Sequence, residues 1–216
     1  MSLLKSAATV GGFTLLSRLL GFVRDQLIAF TLGTGPVAQA FFVAQRFPNM
    51  FRALFAEGAF NSAFVPQFAR RIEGEGQSAA HKFAIEIFSA LLAWLLVFTA
   101  IAMIAMPWLI YLIAPGFSQD AQKLQLTVEL TRICFPYLLF MSLTALQSGV
   151  LNSLNRFSAA AAAPILLNIF MILAILISWI FETGDSALTG YILATGVSMA
   201  GVAPVAALPG TAIVPR

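Results

Sequence analysis

The sequence predicts an all-α, polytopic helical membrane protein with about six transmembrane helices, and three observations carry that prediction. Hydrophobic residues make up 60% of the 216-residue chain and charged residues 10%, at a mean hydropathy of +0.90, whereas an ordinary soluble domain is about 25% charged. Apolar stretches recur that are long enough to span a bilayer, which takes about 20 residues of helix. None of them alternates with the two-residue period of a barrel strand.

The first stretch, Ala7–Leu32, ends at the turn signal Gly33-Thr34-Gly35-Pro36. The second, Pro36–Phe68, contains Pro48 and runs to Glu73-Gly74-Glu75-Gly76. Proline removes a helical hydrogen bond, so a kink is expected there. Phe83–Ala114 follows and closes at Pro115-Gly116; then come Leu124–Leu151, Ala159–Phe181 and, after Gly184-Asp185, Ala187–Leu208. The first four exceed the spanning minimum, so tilt or extension past the hydrocarbon is expected. Lys5 before an apolar run resembles a signal peptide. Arg18, Arg24 and Asp25 interrupt that run, however, and no A-x-A cleavage pattern follows, so the first helix is expected to be retained.

Orientation follows from the short loops. With the N-terminus cytoplasmic, Lys5, Arg70, Arg71, Lys82 and Arg156 all fall on the cytoplasmic side, while the opposite loops hold Lys123 beside Asp120, Glu182 and Asp185. Trp108, Tyr111 and Trp179 then lie near the outer helix ends, where interfacial aromatics belong.

The first two stretches carry Arg18, Arg24, Arg46 and Arg52 against only Asp25 and Glu57. A charge at the bilayer centre costs roughly 2.5–3.5 kcal/mol on insertion scales, so such residues are functional candidates. Arg18 and Asp25 are seven apart and share a helix face. Arg24 lies about 100° around from Asp25. Asn49 and Arg52 are one turn apart, and Arg46 and Glu57 are nearly in register. Ser17 and Gly21 form a small-xxx-small pair that admits a close helix neighbour, and Ala56, Ala59 and Ala63 form a second small-residue stripe. One reading pairs these charges off, Arg24 with Asp25 or Arg46 with Glu57, and leaves only a locked bundle. The sign arithmetic favours the other reading. Four cations meet two carboxylates, and the excess calls for water and an anion. The guanidinium fork suits phosphate oxygens bidentately; a carboxylate-bearing substrate also fits, and charge alone does not separate the two.

The remaining marks read as structural. Cys134 is expected to be a small buried hydrophobe, Glu129 and Arg132 a pair along one helix, His81 part of a solvated charged loop near anionic lipid, and Arg156, beside Asn152 and Asn155, a positive-inside residue. No catalytic constellation, metal cluster or glycine-rich phosphate loop is present in the sequence, so neither enzyme chemistry nor a cofactor is expected. The dispersed basic residues, with a net charge of +3, speak against nucleic acid as a partner.

Several segments resemble the MurJ (MviN) family of bacterial lipid II flippases. They are Ser17-Arg18-Leu19-Leu20-Gly21-Phe22-Val23-Arg24-Asp25, Ala40-Phe41-Phe42-Val43-Ala44, Phe47-Pro48-Asn49, Arg52, Phe55-Ala56-Glu57-Gly58-Ala59-Phe60 and Ala63-Phe64-Val65-Pro66. Ala114-Pro115-Gly116-Phe117, Phe135-Pro136-Tyr137, and Leu151-Asn152 with Asn155-Arg156-Phe157 add to them. The resemblance implies a MATE-like exporter with two lobes around a cationic cavity. Alternating access there flips the undecaprenyl-pyrophosphate-linked peptidoglycan precursor across the bacterial cytoplasmic membrane. It also implies that residues 1–200 are the N-terminal transmembrane lobe, and that Ser17, Arg18, Arg24, Asp25, Asn49, Arg52 and Glu57 are the substrate-binding positions. The implied partners are a lipid-linked pyrophosphate and membrane lipid, with a second lobe to come from another chain.

Two departures accompany the resemblance. Gln39 stands where the family commonly has aspartate. The chain is also less than half a family member, and from about Gly201 it diverges: Pro204 and Pro209 are expected to break the sixth helix, and residues 201–216 read as a truncated or frameshifted tail. The competing functions are export of another polyprenyl-linked glycan or small molecule, and a non-transporting membrane remnant.

Overall fold

The computed structural model describes the backbone of residues 3–52, 59–153 and 157–207 and the side chains of residues 11–51, 63–153 and 164–206. Among these residues the chain is helical and has no strand. The helices are α1 (Leu3–Leu32), α2 (Pro36–Arg52), α3 (Ala59–Glu75), α4 (Gln77–Ile113), α5 (Ala121–Cys134), α6 (Pro136–Ser153), α7 (Phe157–Ile180) and α8 (Ala187–Ala207), with a short 3-10 turn at Pro115–Gln119. Three helical runs are long and apolar enough to cross a membrane: Gln77–Ile113, Ala121–Ser153 and Ala187–Ala206. Pro164–Ile180 is a shorter apolar helix.

Turn chemistry sets the boundaries. Gly33 ends α1 with φ 57° and donates its N–H to the Ala29 carbonyl at 3.0 Å, the left-handed cap that glycine adopts without steric cost. Asp120 starts α5 by accepting from the backbone N–H groups of Gln122 at 3.1 Å and Lys123 at 3.0 Å. The expected span Leu124–Leu151 falls within one helical run, Ala121–Ser153, which is interrupted at Phe135. Pro136 has no N–H to continue α5, and the chain re-enters helix directly through Phe135 in the αR region. The second expected span covers α2 and part of α3, with residues 53–58 between them outside the described residues. Pro204 does not break α8, which runs on to Ala207; neighbouring helices tolerate such a proline at membrane depth. The expected tail beyond residue 207 lies outside the described residues.

α8 is central, packed on α7, α6, α5 and α2, while α1 rests mainly on α7. The largest core joins Ile28 and Leu32 of α1, Phe41 and Ala44 of α2, Leu130 and Cys134 of α5, Met171 and Ile175 of α7, and Leu193 and Val197 of α8. A second cluster unites Phe64 and Phe68 with Ala80 and Ala84 and with Leu146 and Val150, closing the α3–α4 hairpin onto α6. A third groups Phe47 of α2, Met106 of α4 and Phe135 at the α5–α6 junction. At 1.5 Å per residue the 37 residues of α4 extend about 55 Å, so it overruns a hydrocarbon core of about 30 Å. Its C-terminal end bears the exposed Trp108 and Tyr111.

Candidate functional site

α1 and α2 are joined by a three-residue turn but scarcely touch. Each lies on different partners, α1 on α7 and α2 on α5 and α8. The two charged helices therefore part from their turn, and α1 keeps one long face without a neighbour among the described residues. Leu15, Leu19 and Phe22 are exposed on this helix, together with Arg18 and Asp25.

The polar centre of α1 is built by Arg24. Its Nε and Nη2 donate to Asp25 Oδ1 at 2.9 and 2.7 Å, and its Nη1 donates to Asn168 Oδ1 on α7 at 2.9 Å. The Arg24 side chain is 18% exposed and that of Asp25 63%, so the guanidinium lies against α7 while the carboxylate faces outward. Asn168 in turn donates from Nδ2 to the Ser17 carbonyl at 2.8 Å and approaches Ser17 Oγ at 3.5 Å. The contact occurs at the small-residue pair noted in the sequence: a Cβ placed on Gly21 would lie 3.6 Å from the Asn168 amide. The close neighbour that Ser17 and Gly21 admit is α7.

Ser17, Arg24 and Asp25 thus come together, joined by a residue that the sequence reading missed. Asn168 carried the same signal as the arginines, a polar side chain within the apolar run Pro164–Ile180. The local Arg24–Asp25 pair does form, as the charge-pairing reading anticipated. Arg18 and Arg46 are exposed and have no hydrogen bond or ion pair among the described residues. Asn49, half-buried on α2, donates from Nδ2 to the Gln45 carbonyl at 3.0 Å and makes a further contact. Arg52 ends α2; its side chain, and the whole of Glu57, lie outside the described residues.

Other expectations are corrected. Glu129 and Arg132 form no salt bridge. Glu129 accepts from the Gln125 amide at 2.9 Å and from the Tyr191 hydroxyl of α8, whereas Arg132 Nε donates to the Met103 carbonyl of α4 at 2.9 Å. A neighbour on α5 and partners on α8 and α4 outcompete the i,i+3 pair. His81 is half-buried and its Nε2 has no hydrogen-bond partner among the described residues, so it is not the solvated side chain expected. Gln39, given no role, links α2 to the start of α5. Its Oε1 accepts from Lys123 Nζ, which also lies 3.8 Å from the centre of the Phe117 ring. No group of three or more metal-ligating side chains occurs among the described residues.

The profile of the family described as "Lipid II flippase MurJ" matches residues 28–210. The chain belongs to the MurJ family of lipid II flippases. The matched range takes in Asn49, Arg52, Glu57 and Asn168, with Ser17, Arg18, Arg24 and Asp25 just before it. The "Probable lipid II flippase MurJ" of Rhizobium tropici is 53% identical over 203 residues, which are 94% of this chain and 38% of that protein. The "Lipid II flippase MurJ" of Burkholderia cenocepacia is 42% identical over 203 residues, again 94% of this chain and 38% of the relative. A solved structure titled "Lipid II flippase MurJ, inward closed conformation" superposes with a TM-score of 0.75 at 24% identity, over 92% of this chain and 40% of that one. The chain therefore shares the fold of part of a MurJ transporter and spans about 38% of the length of these relatives.

Proposed function

We propose that the chain forms the N-terminal lobe of a two-lobed lipid II flippase in the bacterial cytoplasmic membrane, with its N-terminus cytoplasmic. In this reading the lobe presents a cationic wall to the pyrophosphate of an undecaprenyl-linked precursor, and alternating access against a second lobe carries the headgroup across. The observation that carries the reading is the uncovered face of α1. Arg18 stands exposed and unpaired there among the described residues, and Arg24, further along α1 and turned toward α7, has its guanidinium only partly used. Two arginines on one helix, one fixed and one free, suit a pyrophosphate, whose oxygens accept charge-assisted hydrogen bonds. Asn49, Arg52 and Glu57 join the proposed substrate-binding set through the family resemblance, and Ser17 through its contact with Asn168.

The chemistry is that of binding and release. The arginines neutralise the anion, Asp25 keeps Arg24 oriented, and the apolar remainder of α1 accommodates the lipid portion. The same wall would accept another polyprenyl-pyrophosphate glycan, so the sugar specificity rests elsewhere. In a full-length context carrying this lobe, Arg18→Ala, Arg24→Ala or Arg52→Ala is expected to abolish complementation of a flippase-depleted strain at unchanged membrane expression. Normal growth of all three would refute the proposal. Binding of lipid II in preference to a neutral lipid-linked sugar separates this cargo from other glycolipids.

A further inference from the structure

We infer that Asn168 is a positioning residue for Arg24, fixing the direction in which the guanidinium presents its unused N–H groups; this rests on the reading of α1 as a pyrophosphate-receiving wall. Asn168 is 4% exposed and lies in the apolar run Pro164–Ile180. A buried amide in such surroundings is tolerated only when it is hydrogen-bonded. Both ends of this one are bonded, and the partners dictate its orientation. The Ser17 carbonyl can only accept and the Arg24 guanidinium can only donate, so Nδ2 must face Ser17 and Oδ1 must face Arg24.

The anchor is a backbone atom. A carbonyl within α1 moves only with the helix, so Asn168 ties Arg24 to the α1 main chain through two short bonds of 2.8 and 2.9 Å. Helical side chains lean toward the N-terminus, which carries Arg24 back over the turn containing Gly21. There the amide packs directly on α1: a Cβ on Gly21 would touch it at 3.6 Å, and any larger side chain would press on it. Asp25 alone would not hold the guanidinium, because it is a largely exposed ion-pair partner on the adjacent residue. Asn168 grips the opposite side.

The donor accounting then leaves something for a ligand. Of the five N–H bonds of a guanidinium, Nε, Nη2 and Nη1 of Arg24 each use one on Asp25 or Asn168. One on each terminal nitrogen stays unused among the described residues, in a fixed direction. The neutrality of the amide matters as well. A carboxylate in its place would give Arg24 a second counter-ion and cancel the charge that attracts an anion.

The test uses a full-length transporter carrying this lobe, in nanodiscs of zwitterionic lipid, with undecaprenyl pyrophosphate as the probe. Affinity is measured for the unsubstituted transporter, Arg24→Ala, Asn168→Ala, the double variant and Asn168→Asp. Asn168→Ala is expected to weaken binding on the order of tenfold, and to add no loss in the Arg24→Ala background. Asn168→Asp is expected to lose more than Asn168→Ala, as charge cancellation requires. Equal losses from Asn168→Ala in both backgrounds, or no loss at all, overturn the positioning role. If the unsubstituted transporter does not bind the probe, or Arg24→Ala binds as well as it does, the reading of the α1 wall itself falls and this role with it. Should Asn168→Ala fail to fold, Gly21→Val displaces the amide without altering a polar group. It is expected to reproduce the loss, and unchanged affinity there is equally decisive against the inference.

Discussion

Arg132 illustrates how one side chain completes another helix. Pro107 lies inside α4 and has no N–H to offer the carbonyl four residues earlier, which belongs to Met103. Arg132 Nε supplies the missing donor across the α4–α5 interface. Losing a hydrogen bond from a charged donor and leaving a carbonyl unsatisfied costs about 1–3 kcal/mol, so Arg132→Leu should destabilise the bundle by that amount. Pro107→Ala restores the helix's own donor, and in that background the cost of Arg132→Leu should shrink by half or more. A double-mutant cycle of reversible unfolding in mixed micelles reads the coupling; strictly additive effects would show that the two residues are not linked. The sequence could show Arg132 as an intramembrane cation, but its nearest carboxylate, Glu129, pointed the wrong way. The true partner is a carbonyl 29 positions away, and nothing in the local pattern identifies it.

Helix packing is decided where side chains are absent. Gly196 of α8 faces Ala174 of α7 so closely that an added Cβ would stand 2.8 Å from the alanine Cβ. Gly196→Val must therefore separate the two helices or distort one of them, at a cost of about 1–3 kcal/mol. Gly74 of α3 has nothing within 4 Å of an added Cβ, so Gly74→Ala should be neutral or stabilising by up to about 1 kcal/mol through helix propensity. Thermal unfolding in detergent distinguishes the two, and equal melting temperatures for both variants would contradict the packing argument. Helix ends are legible in part. Gly33 acts through local backbone chemistry, and its turn signal is plain in the sequence; Asp120, which caps α5, reads there only as a loop charge, and the expected span begins at Leu124. The interruption at Phe135-Pro136 lies inside an apolar run whose hydropathy does not change, so hydropathy locates the span but not the one-residue turn within it.

For the molecule as a whole, topology is the testable quantity. Cys134 is fully buried, at 0% exposure, so it should not react with a membrane-impermeant maleimide in the native protein. Single cysteines can then be introduced against a silent background. With the N-terminus cytoplasmic, Gly74→Cys in the last turn of α3 should be shielded in intact spheroplasts and labelled after lysis, whereas Ser118→Cys in the 3-10 turn should react in intact cells. The opposite pattern inverts the proposed orientation, and with it the side from which the α1 wall loads.

Composition, segment length and charge were enough to determine that the chain is helical and membrane-embedded, and which residues of α1 and α2 are out of place in lipid. Those properties follow from the mismatch between a side chain and the bilayer, which each residue carries by itself. Only the tertiary structure decided that Arg24 leans on Asn168 of α7, that Arg132 serves an orphaned carbonyl of α4, and that α1 and α2 part from their turn to pack on different neighbours. Hydrogen-bond partners and close approach depend on which helices meet, and the same polar side chains could be satisfied by many different meetings.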